Sequence, residues 1–480
     1  MFDACAKTYL CAVRKKNVIL EDVLFTGYAA EGKAIARPEG KVLFVQGAVP
    51  GDVADVLLTK SKKDWAEGRI VKLKTPSPDR ITPVCIHFGI CGGCKWQMLP
   101  YEKQLEYKQQ EVADIFRKIG KMKDPQILPI IGSEKIYQYR NKLEFTFSNK
   151  AFLPKEDFDA GIPKSQNVVG YHVPRLFDKV IDITECHLMD NRNNVIRNFI
   201  RELAHQNGWP FYDLKEHTGW LRNMMIRYAT TGETMINIVV AYNNVEAQKR
   251  LTDELITRFP FITTLLFTVN NKLNDTIYDL EPQVVFGPGH IIEQLGDYRF
   301  KISPKSFFQT NTLQAEQLYN VVRDFAALKG NETVYDLYCG TGSIGIYLSN
   351  KAQKVIGVEA IEDAVKDARE NAVLNGIKET EFYTGDVIKI CDDAFFQKHG
   401  RPDVVILDPP RAGLHGKLIE KLLEIKPDRM VYVSCNVATQ ARDLELLSGL
   451  YEVGKLQPVD MFPHTHHIEC VATLIKKGTV

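Results

Sequence analysis

The stretch Val334-Tyr335-Asp336-Leu337-Tyr338-Cys339-Gly340-Thr341-Gly342-Ser343-Ile344-Gly345 decides how the rest of the chain is read: an apolar strand runs into a glycine turn that opens a helix. Glycines accept backbone angles barred to other residues and leave room for a ligand against the main chain, with helix N–H groups pointing outward. A nucleotide-like ligand is therefore expected at Gly340 and Gly342. Gly340-x-Gly342-x-x-Gly345 also fits the dinucleotide fingerprint, in which a helix N-terminus holds a pyrophosphate.

Asp336, at the end of the strand, weighs against a phosphate, because a carboxylate near a dianionic group costs energy. S-adenosylmethionine (SAM) carries no phosphate but an ammonium and a sulfonium, and suits this acidic setting better. The next strand, Lys354 to Val358, ends in Glu359, placed to meet ribose hydroxyls. Beyond it, Glu381–Tyr383, Val404–Leu407 and Met430–Val433 alternate with helical stretches, the rhythm of a doubly wound, Rossmann-like parallel sheet over residues 301–480. Ligands of such sheets lie outside the carboxyl ends of the strands. Asp336, Glu359, Asp386, Asp408 and Cys435 fall there in series. Upstream, Phe307-Phe308-Gln309-Thr310-Asn311 leads into a helix with Leu313, Leu318, Val321 and Val322 at helical spacing. Asn311 or Thr312 suits its cap, whereas Gln309 has no structural duty that the sequence shows.

The chain's 480 residues exceed what one hydrophobic core serves, so two or three domains are expected. With 45% hydrophobic and 25% charged residues the composition is that of an ordinary soluble protein. No apolar run approaches the roughly 18 residues of a membrane span, and Met1-Phe2-Asp3-Ala4-Cys5 does not open a secretory signal. A cytoplasmic, monomeric protein without a membrane partner is expected. A net charge of +1 argues neither for nor against nucleic acid, since local distribution matters more. Ten cysteines in a reducing compartment call for metal, chemistry or packing rather than disulfides.

From residue 11 to 74, short strands separated by Gly27, Gly32, Pro38-Glu39-Gly40, Pro50-Gly51-Asp52 and Glu67-Gly68 predict a small β-barrel. Lys15-Lys16, Lys60, Lys62-Lys63, Lys72 and Lys74, with Tyr28, Phe44 and Trp65, offer it a basic and aromatic surface for nucleic acid, or simply a solvated lysine-rich face. Gly27-Tyr28-Ala29-Ala30-Glu31-Gly32 with Pro50-Gly51-Asp52 resembles a TRAM domain, an RNA-binding barrel. A linker with Pro76, Pro78 and Pro83 follows, and then Cys85-x5-Cys91-Gly92-Gly93-Cys94. Three thiols so close together can bind one metal centre from one side. A zinc ribbon would bring a second C-x2-C pair, which is absent, whereas an iron-sulfur cluster can take its last thiolate from a distant single cysteine, for which Cys186 is the best candidate. A [4Fe-4S] cluster in a central α+β domain over residues 75–300 is therefore expected, with one long helix from Tyr101 to Ile119 and strands around Leu143–Phe147 and Met235–Val240.

Ser434-Cys435-Asn436 follows the fifth strand and should present a thiol at the ligand end of the sheet. A thiol beside a methyl donor suggests covalent catalysis on an atom too electron-poor to take the methyl unaided, such as uracil C5. Addition of Cys435 to C6 would make C5 nucleophilic, and a base would then remove the C5 proton. Glu469, in Pro463-His464-Thr465-His466-His467-Ile468-Glu469, is the carboxylate assigned. A small buried cysteine is the plain alternative for Cys435.

The set Cys85-x5-Cys91-Gly-Gly-Cys94 with Cys186, Phe-Phe-Gln309-x-Asn311, Asp336-Leu-Tyr338-Cys-Gly340-x-Gly342, Asp408-Pro409-Pro410-Arg411, Ser434-Cys435-Asn436 and His464-Thr465-x-His467-x-Glu469 resembles the RNA uracil-C5 methyltransferases. The barrel and cysteine cluster make the resemblance closest to the RumA/RlmD type acting on 23S ribosomal RNA. It implies that Gln309, Tyr338, Glu359 and Asp408 bind SAM, that Cys435 is the nucleophile and Glu469 the base, and that Cys85, Cys91, Cys94 and Cys186 hold [4Fe-4S]. It also implies a uridine of 23S ribosomal RNA as substrate, with the base flipped out of the RNA. The transfer RNA member of the family lacks the barrel and the cluster, which weighs against transfer RNA. Asp408-Pro409-Pro410 also resembles the acidic-Pro-Pro motif of amino-group methyltransferases, which need no cysteine nucleophile. From another class, an RNA-binding or cluster-carrying protein with a vestigial sheet would not need Gly340, Gly342, Glu359, Cys435 and Glu469 together.

Overall fold

The computed structural model describes residues 18–161 and 167–478. The first residues of the barrel segment, 11–17 with Lys15-Lys16, and the Met1–Cys5 stretch lie outside them. The chain forms two compact units: one ends at Thr82 and includes Met98–Pro100, and the other comprises Pro83–Gln97 and everything from Tyr101 onward.

The first unit is a six-stranded sheet built from β1 (Ile19–Leu24), β2 (Gly27–Ala29), β3 (Lys33–Ala36), β4 (Val42–Val45), β5 (Val53–Ser61) and β6 (Trp65–Thr75), in the order β1-β5-β6-β4-β3-β2. Alternation sets the core: Ala34, Ala36, Leu43, Val45, Ala54, Val56 and Ala66 point inward and are buried. The Pro50-Gly51-Asp52 turn is tied by Asp52, whose buried carboxylate accepts from Val49 N (2.7 Å) and Ser77 N (2.8 Å) and pairs with Arg80. Several lysines are neutralised locally, Lys74 by Asp22 and Asp55, and Lys33 by Glu31 and Glu67. Lys60 instead lies over the Trp65 ring (4.7 Å), with Phe44 edge-on to the same indole (6.4 Å), so three members of the basic and aromatic set named from the sequence meet one another.

In the second unit α1 (Tyr101–Lys118) is followed by β7 (Lys142–Ser148), α2 (Lys155–Asp159), β8 (Val168–Val173), β9 (Leu176–Asp182), α3 (Arg192–Gln206), β10 (Leu221–Tyr228), β11 (Thr234–Val240), α4 (Val245–Arg258), β12 (Thr264–Val269) and β13 (Gln283–Phe286). The strands make one seven-stranded sheet, β13-β12-β11-β10-β7-β8-β9. One face carries Leu143, Phe145, Ile226, Ile236 and Ile238, and α3 and α4 cover it with Ile196, Ile200, Leu251 and Leu255. The hairpin of β14 (Ile291–Leu295) and β15 (Tyr298–Ile302) then leads to α5 (Thr312–Ala326). Of the two residues suited to cap α5, Asn311 does so, its side chain accepting from Gln314 N.

The last part alternates β16 (Thr333–Leu337), α6 (Ser343–Leu348), β17 (Lys354–Glu359), α7 (Glu362–Leu374), β18 (Thr380–Thr384), α8 (Val387–Ile390), α9 (Asp393–His399), β19 (Val404–Leu407), α10 (Gly416–Ile425), β20 (Arg429–Ser434) and α11 (Val437–Leu447), and closes with β21 (Tyr451–Val459) and β22 (Glu469–Lys476). Its sheet runs β18-β17-β16-β19-β20-β22-β21. The strands from β18 to β20 are parallel, and β22 is inserted antiparallel between β20 and β21. Their near-continuous apolar runs fit a sheet covered on both faces. One layer holds α5, α6 and α7; the other holds α10 and α11 together with α1, whose Val112 and Phe116 are buried there.

Gly357, in the middle of β17, shows how tightly this sheet is closed. A Cβ there would meet the Phe382 ring at 2.4 Å and the Cys339 sulfur at 2.9 Å. Overpacking of this kind costs ~1–3 kcal/mol. Gly357→Ala is expected to lower stability by that amount in urea unfolding; an unchanged midpoint would show that the sheet yields more easily than its packing indicates.

Candidate active site

All five acidic and thiol candidates stand at the carboxyl ends of the parallel strands. Asp336 is near the end of β16, Glu359 ends β17, Asp386 follows β18, Asp408 follows β19 and Cys435 follows β20. The order of the sheet reverses between β16 and β19, the point where a crevice opens in doubly wound sheets, and Asp336 and Asp408 flank it.

The turn between β16 and α6 keeps three successive positive-φ positions within reach of one another: Tyr338 (φ 67°), Gly340 (φ 54°) and Gly342 (φ 76°). Gly342 is obligatory for a second reason, since a side chain there would strike Phe382 and Ala368 at 2.8–2.9 Å. At Gly340 the space above the backbone is open, with nothing within 4 Å of an added Cβ, which leaves the main chain free to take a ligand. Glu359 braces the turn by accepting from Gly340 N (3.2 Å) and Ile361 N (3.0 Å). Asp336 is buried; its Oδ2 accepts from Gly345 N (2.9 Å), while Oδ1 has no hydrogen-bond partner among the described residues. Burial, and then Asp408 and Glu359, push the Asp336 carboxyl up to about 8. Burial also pushes Asp408 up to about 7. An orphaned buried oxygen among carboxylates that lack a cation fits the ammonium and sulfonium of SAM and not a pyrophosphate.

Gln309 is half-buried, and its main-chain carbonyl accepts from Asn141 Nδ2 (2.8 Å). Tyr338 is half-buried as well. Asp386 differs from the others: it is exposed, and its side chain caps α8 by accepting from Ile388 N (3.0 Å), a structural duty the sequence reading did not assign.

Cys435 and Glu469 are brought together by strand pairing. Ser434 of β20 stands opposite Cys470 of β22 as the last pair of that ladder, so Cys435, which follows β20, and Glu469, which opens β22, flank it at the same end, close enough for the Glu469 charge to act on the thiol. Burial, and then Glu469, raise the Cys435 thiol, with Arg411 working against them. Glu469 is buried and is raised well above the usual carboxylate range by burial and by Asp408, again opposed by Arg411. Arg411 is fixed through its own carbonyl, which accepts from Asn436 Nδ2 (2.9 Å), and its guanidinium lies 3.5 Å from His467 Nδ1. Arg411 was visible in the sequence only as the end of a motif; its opposition to Asp408 at both candidate groups could not be seen there. Tyr319 was missed altogether: buried on α5, its hydroxyl lies 2.8 Å from Ser343 Oγ at the start of α6.

Cys85, Cys91, Cys94 and Cys186, expected as ligands of an iron-sulfur cluster, line one cavity of about 130 Å³ together with Gln97, Arg140 and His187. None of the four is in a disulfide. Gln97 ties two of them, donating to Cys94 Sγ (3.2 Å) and accepting from Cys85 N (3.1 Å). Gly92 lets the chain wrap closely, at φ 74° and with Pro174 2.5 Å from any added Cβ. Burial raises Cys85 and Cys186 and pushes Cys94 up to about 12. Among the described residues no group of three or more His, Cys, Asp or Glu is arranged to hold a metal ion. The cluster expected from the sequence is therefore not shown; the structure gives four thiols around a shared volume.

Residues 17–71 match the TRAM domain model, and residues 290–477 match the model of the tRNA (uracil-5-)-methyltransferases. Proteins of Bacteroides thetaiotaomicron and Porphyromonas gingivalis, each described as an uncharacterized RNA methyltransferase, are 49% identical over 93% and 94% of this chain and 99% of their own length. The structure is similar to that of the Pyrococcus abyssi tRNA (uracil-54, C5)-methyltransferase in complex with S-adenosyl-L-homocysteine, with TM-score 0.73 and 27% identity, over 95% of this chain and all of that one. A match of that extent takes in the barrel, so a barrel does not separate ribosomal from transfer RNA enzymes, and the argument made from it against transfer RNA fails. The uracil-5 match takes in Asp408-Pro409-Pro410 and favours the uracil reading of that motif over the amino-group one. The chain belongs to the family of SAM-dependent RNA uracil-C5 methyltransferases, with a TRAM domain in front.

Proposed function

We propose that this chain methylates C5 of a uridine in 23S ribosomal RNA through a covalent bond between Cys435 and C6 of the base. The observation that carries the reading is the antiparallel pairing of β20 with β22, which brings the thiol after β20 and the buried carboxylate that opens β22 to the same end of the sheet as the glycine turn after β16. Gln309, Tyr338, Glu359 and Asp408 would hold SAM, with Gly340 and Gly342 giving it room, Asp336 facing its positive charge and Asp386 at the rim. When bound, SAM supplies a methyl group made electrophilic by the sulfonium. The Cys435 thiolate adds to C6, C5 becomes the carbon nucleophile and bonds to the methyl carbon as the methyl–sulfur bond breaks, its electron pair staying on the departing sulfur, and Glu469 then takes the C5 proton. The C–H electron pair re-forms the C5–C6 double bond and expels the thiolate. Burial makes the ionised Glu469 a stronger base than a surface glutamate, which suits the last step. The uracil must leave its stack to reach the thiol.

Ribosomal RNA rests on the likeness of the cysteine motif to the 23S-specific type. Transfer RNA is the second reading, favoured by the likeness to the Pyrococcus enzyme. Mapping 5-methyluridine in both RNAs from cells with and without this protein separates them: loss at a 23S position supports the first, loss in transfer RNA replaces it with the second, and no loss in either removes the reaction. In vitro, Cys435→Ala is expected to abolish methylation while SAM still binds, and Glu469→Gln to trap a protein–RNA adduct that survives a denaturing gel.

SAM binding should depend on pH. In the free site Asp336 and Asp408 are raised to about 8 and about 7, so both are partly protonated near neutrality. A cationic ligand favours the ionised carboxylates and lowers both values, so binding releases protons, and affinity rises from roughly pH 6 to roughly pH 9 before levelling. Calorimetry in buffers of different protonation enthalpy measures this; absence of proton release at about pH 7 would contradict it.

Cys85, Cys91, Cys94 and Cys186 would hold a [4Fe-4S] cluster, whose filled coordination gives it a structural role. Protein purified without oxygen should carry about four irons and absorb as a brown chromophore, and Cys186→Ser should lose both. Stoichiometric zinc would replace the cluster with a different centre.

A further inference from the structure

Glu469 opens β22 directly after the loop that leaves β21, and the middle of that loop is bonded to residues far away in the sequence. At its centre His464 is buried in a left-handed conformation (φ 64°), a backbone state that a non-glycine residue keeps only when its surroundings enforce it. Three main-chain bonds do so. His464 N donates to Gln104 Oε1 (2.8 Å), and Lys95 N and Trp96 N both donate to the His464 carbonyl (2.8 and 3.0 Å). Gln104, fully buried on α1, closes the arrangement: its Nε2 donates to the Trp96 carbonyl (3.1 Å) and lies 3.1 Å from His464 Nδ1. Around this clasp Tyr137 stacks on the His464 ring (4.4 Å), and the Tyr139 hydroxyl donates to the Pro463 carbonyl (3.0 Å).

We propose that Gln104 is a positioning residue for proton removal by Glu469, aiming that carboxylate by clasping His464 together with the main chain of Lys95 and Trp96. An amide is suited to the task because it accepts from one backbone N–H while donating to another residue's carbonyl, which neither a carboxylate nor a hydrocarbon of that length does. A buried glutamine is costly unless its polar atoms are bonded, and these bonds go to the base loop and to the segment that follows Cys94. The inference rests on Glu469 being the base. In that step the carboxylate takes the C5 proton, the C–H pair forms the C5–C6 double bond, and the bond from C6 to the Cys435 sulfur breaks, releasing the thiolate. Addition of the thiol and methyl transfer precede the step and do not need the carboxylate in place, so loosening the loop should slow the end of the cycle selectively.

The test is a single-turnover reaction of the full chain with substrate RNA and SAM, quenched over time and resolved on denaturing gels, so that appearance and decay of the covalent adduct are followed separately. Gln104→Met keeps the volume and removes the bonds. It is expected to form the adduct within about twofold of the wild-type rate and to lose it roughly tenfold to a hundredfold more slowly, with SAM affinity unchanged. Tyr139→Phe, a milder change to the same loop, should act in the same direction to a smaller extent, and keeps the test open if Gln104→Met does not fold. Val112→Ala is the control: it lies on the same helix, is equally buried and packs into the α10–α11 layer away from the loop. It should decay like wild type. Adduct that decays at the wild-type rate in the Gln104 and Tyr139 variants while Glu469→Gln accumulates it overturns the positioning role and leaves the base assignment standing. Equal slowing of formation and decay reduces Gln104 to a packing residue. No accumulation in Glu469→Gln overturns the base itself.

Discussion

The antiparallel insertion of β22 beside β20 is the constraint on which the candidate chemistry depends. In a parallel sheet every strand delivers its carboxyl end to the same side, so residues that follow the strands gather there whatever the order of the sheet. A strand that runs the other way delivers its amino end. Glu469 can therefore open β22 at the very place where Cys435 leaves β20, and the two groups become neighbours although each belongs to a different connection. Register makes this demanding: a slip of one residue would turn Glu469 to the opposite face of the sheet. The apolar residues of β22, from Cys470 to Leu474, are packed on both faces and hold that register.

The same corner of the molecule is electrostatically unfinished. Asp336, Asp408 and Glu469 are all raised by burial, and Asp408 raises the other two further. Such groups lower stability at neutral pH, because ionising them without a counter-charge is costly, and a ligand with fixed positive charge offsets that cost. Arg411 is the cation that opposes the trend at both Cys435 and Glu469, and it is held by Asn436, the residue that follows the thiol. The Asp408-Pro409-Pro410-Arg411 and Ser434-Cys435-Asn436 segments thus act as one structural piece.

What could be read from the sequence was local in origin. The strand before Gly340, the acidic residue at the end of the next strand and the repeated βα rhythm each show in a short window, and the structure puts Asp336, Glu359, Asp408 and Cys435 at the ends of neighbouring strands as that rhythm requires. Asp386 shows the limit of the reasoning: it has the right place in the series, yet its carboxylate is engaged as a helix cap. Clasps between distant segments were invisible. Gln104 and His464 stand 360 positions apart, and nothing in the pattern of α1 distinguishes a glutamine that reaches a loop from one that faces solvent. The cysteine motif was legible as a group of donors, and the structure adds that they share one cavity with Gln97 and Arg140. The inference from the barrel to a ribosomal substrate went further than the barrel allows, because a domain that binds RNA says little about which RNA it binds.

A single side chain shows why the division of labour along the chain does not leave the two halves independent. Asn141 sits at the start of β7, in the sheet that precedes the methyltransferase fold, and its amide donates to the Gln309 carbonyl (2.8 Å) and to Thr312 Oγ1 (2.9 Å). Its backbone is bonded as well: its N–H donates to the Thr310 carbonyl and its own carbonyl accepts from Tyr228 N on β10. The turn that carries Gln309 is thereby fastened to the central sheet by a buried residue with no apparent freedom to shift. Thr312 extends the connection to Glu293, buried on β14, whose carboxylate it bonds at 2.7 Å. The position of the Gln309 turn is thus set by residues of the central sheet as much as by the strand and helix that flank it, because its carbonyls and the first residue of α5 are bonded to Asn141.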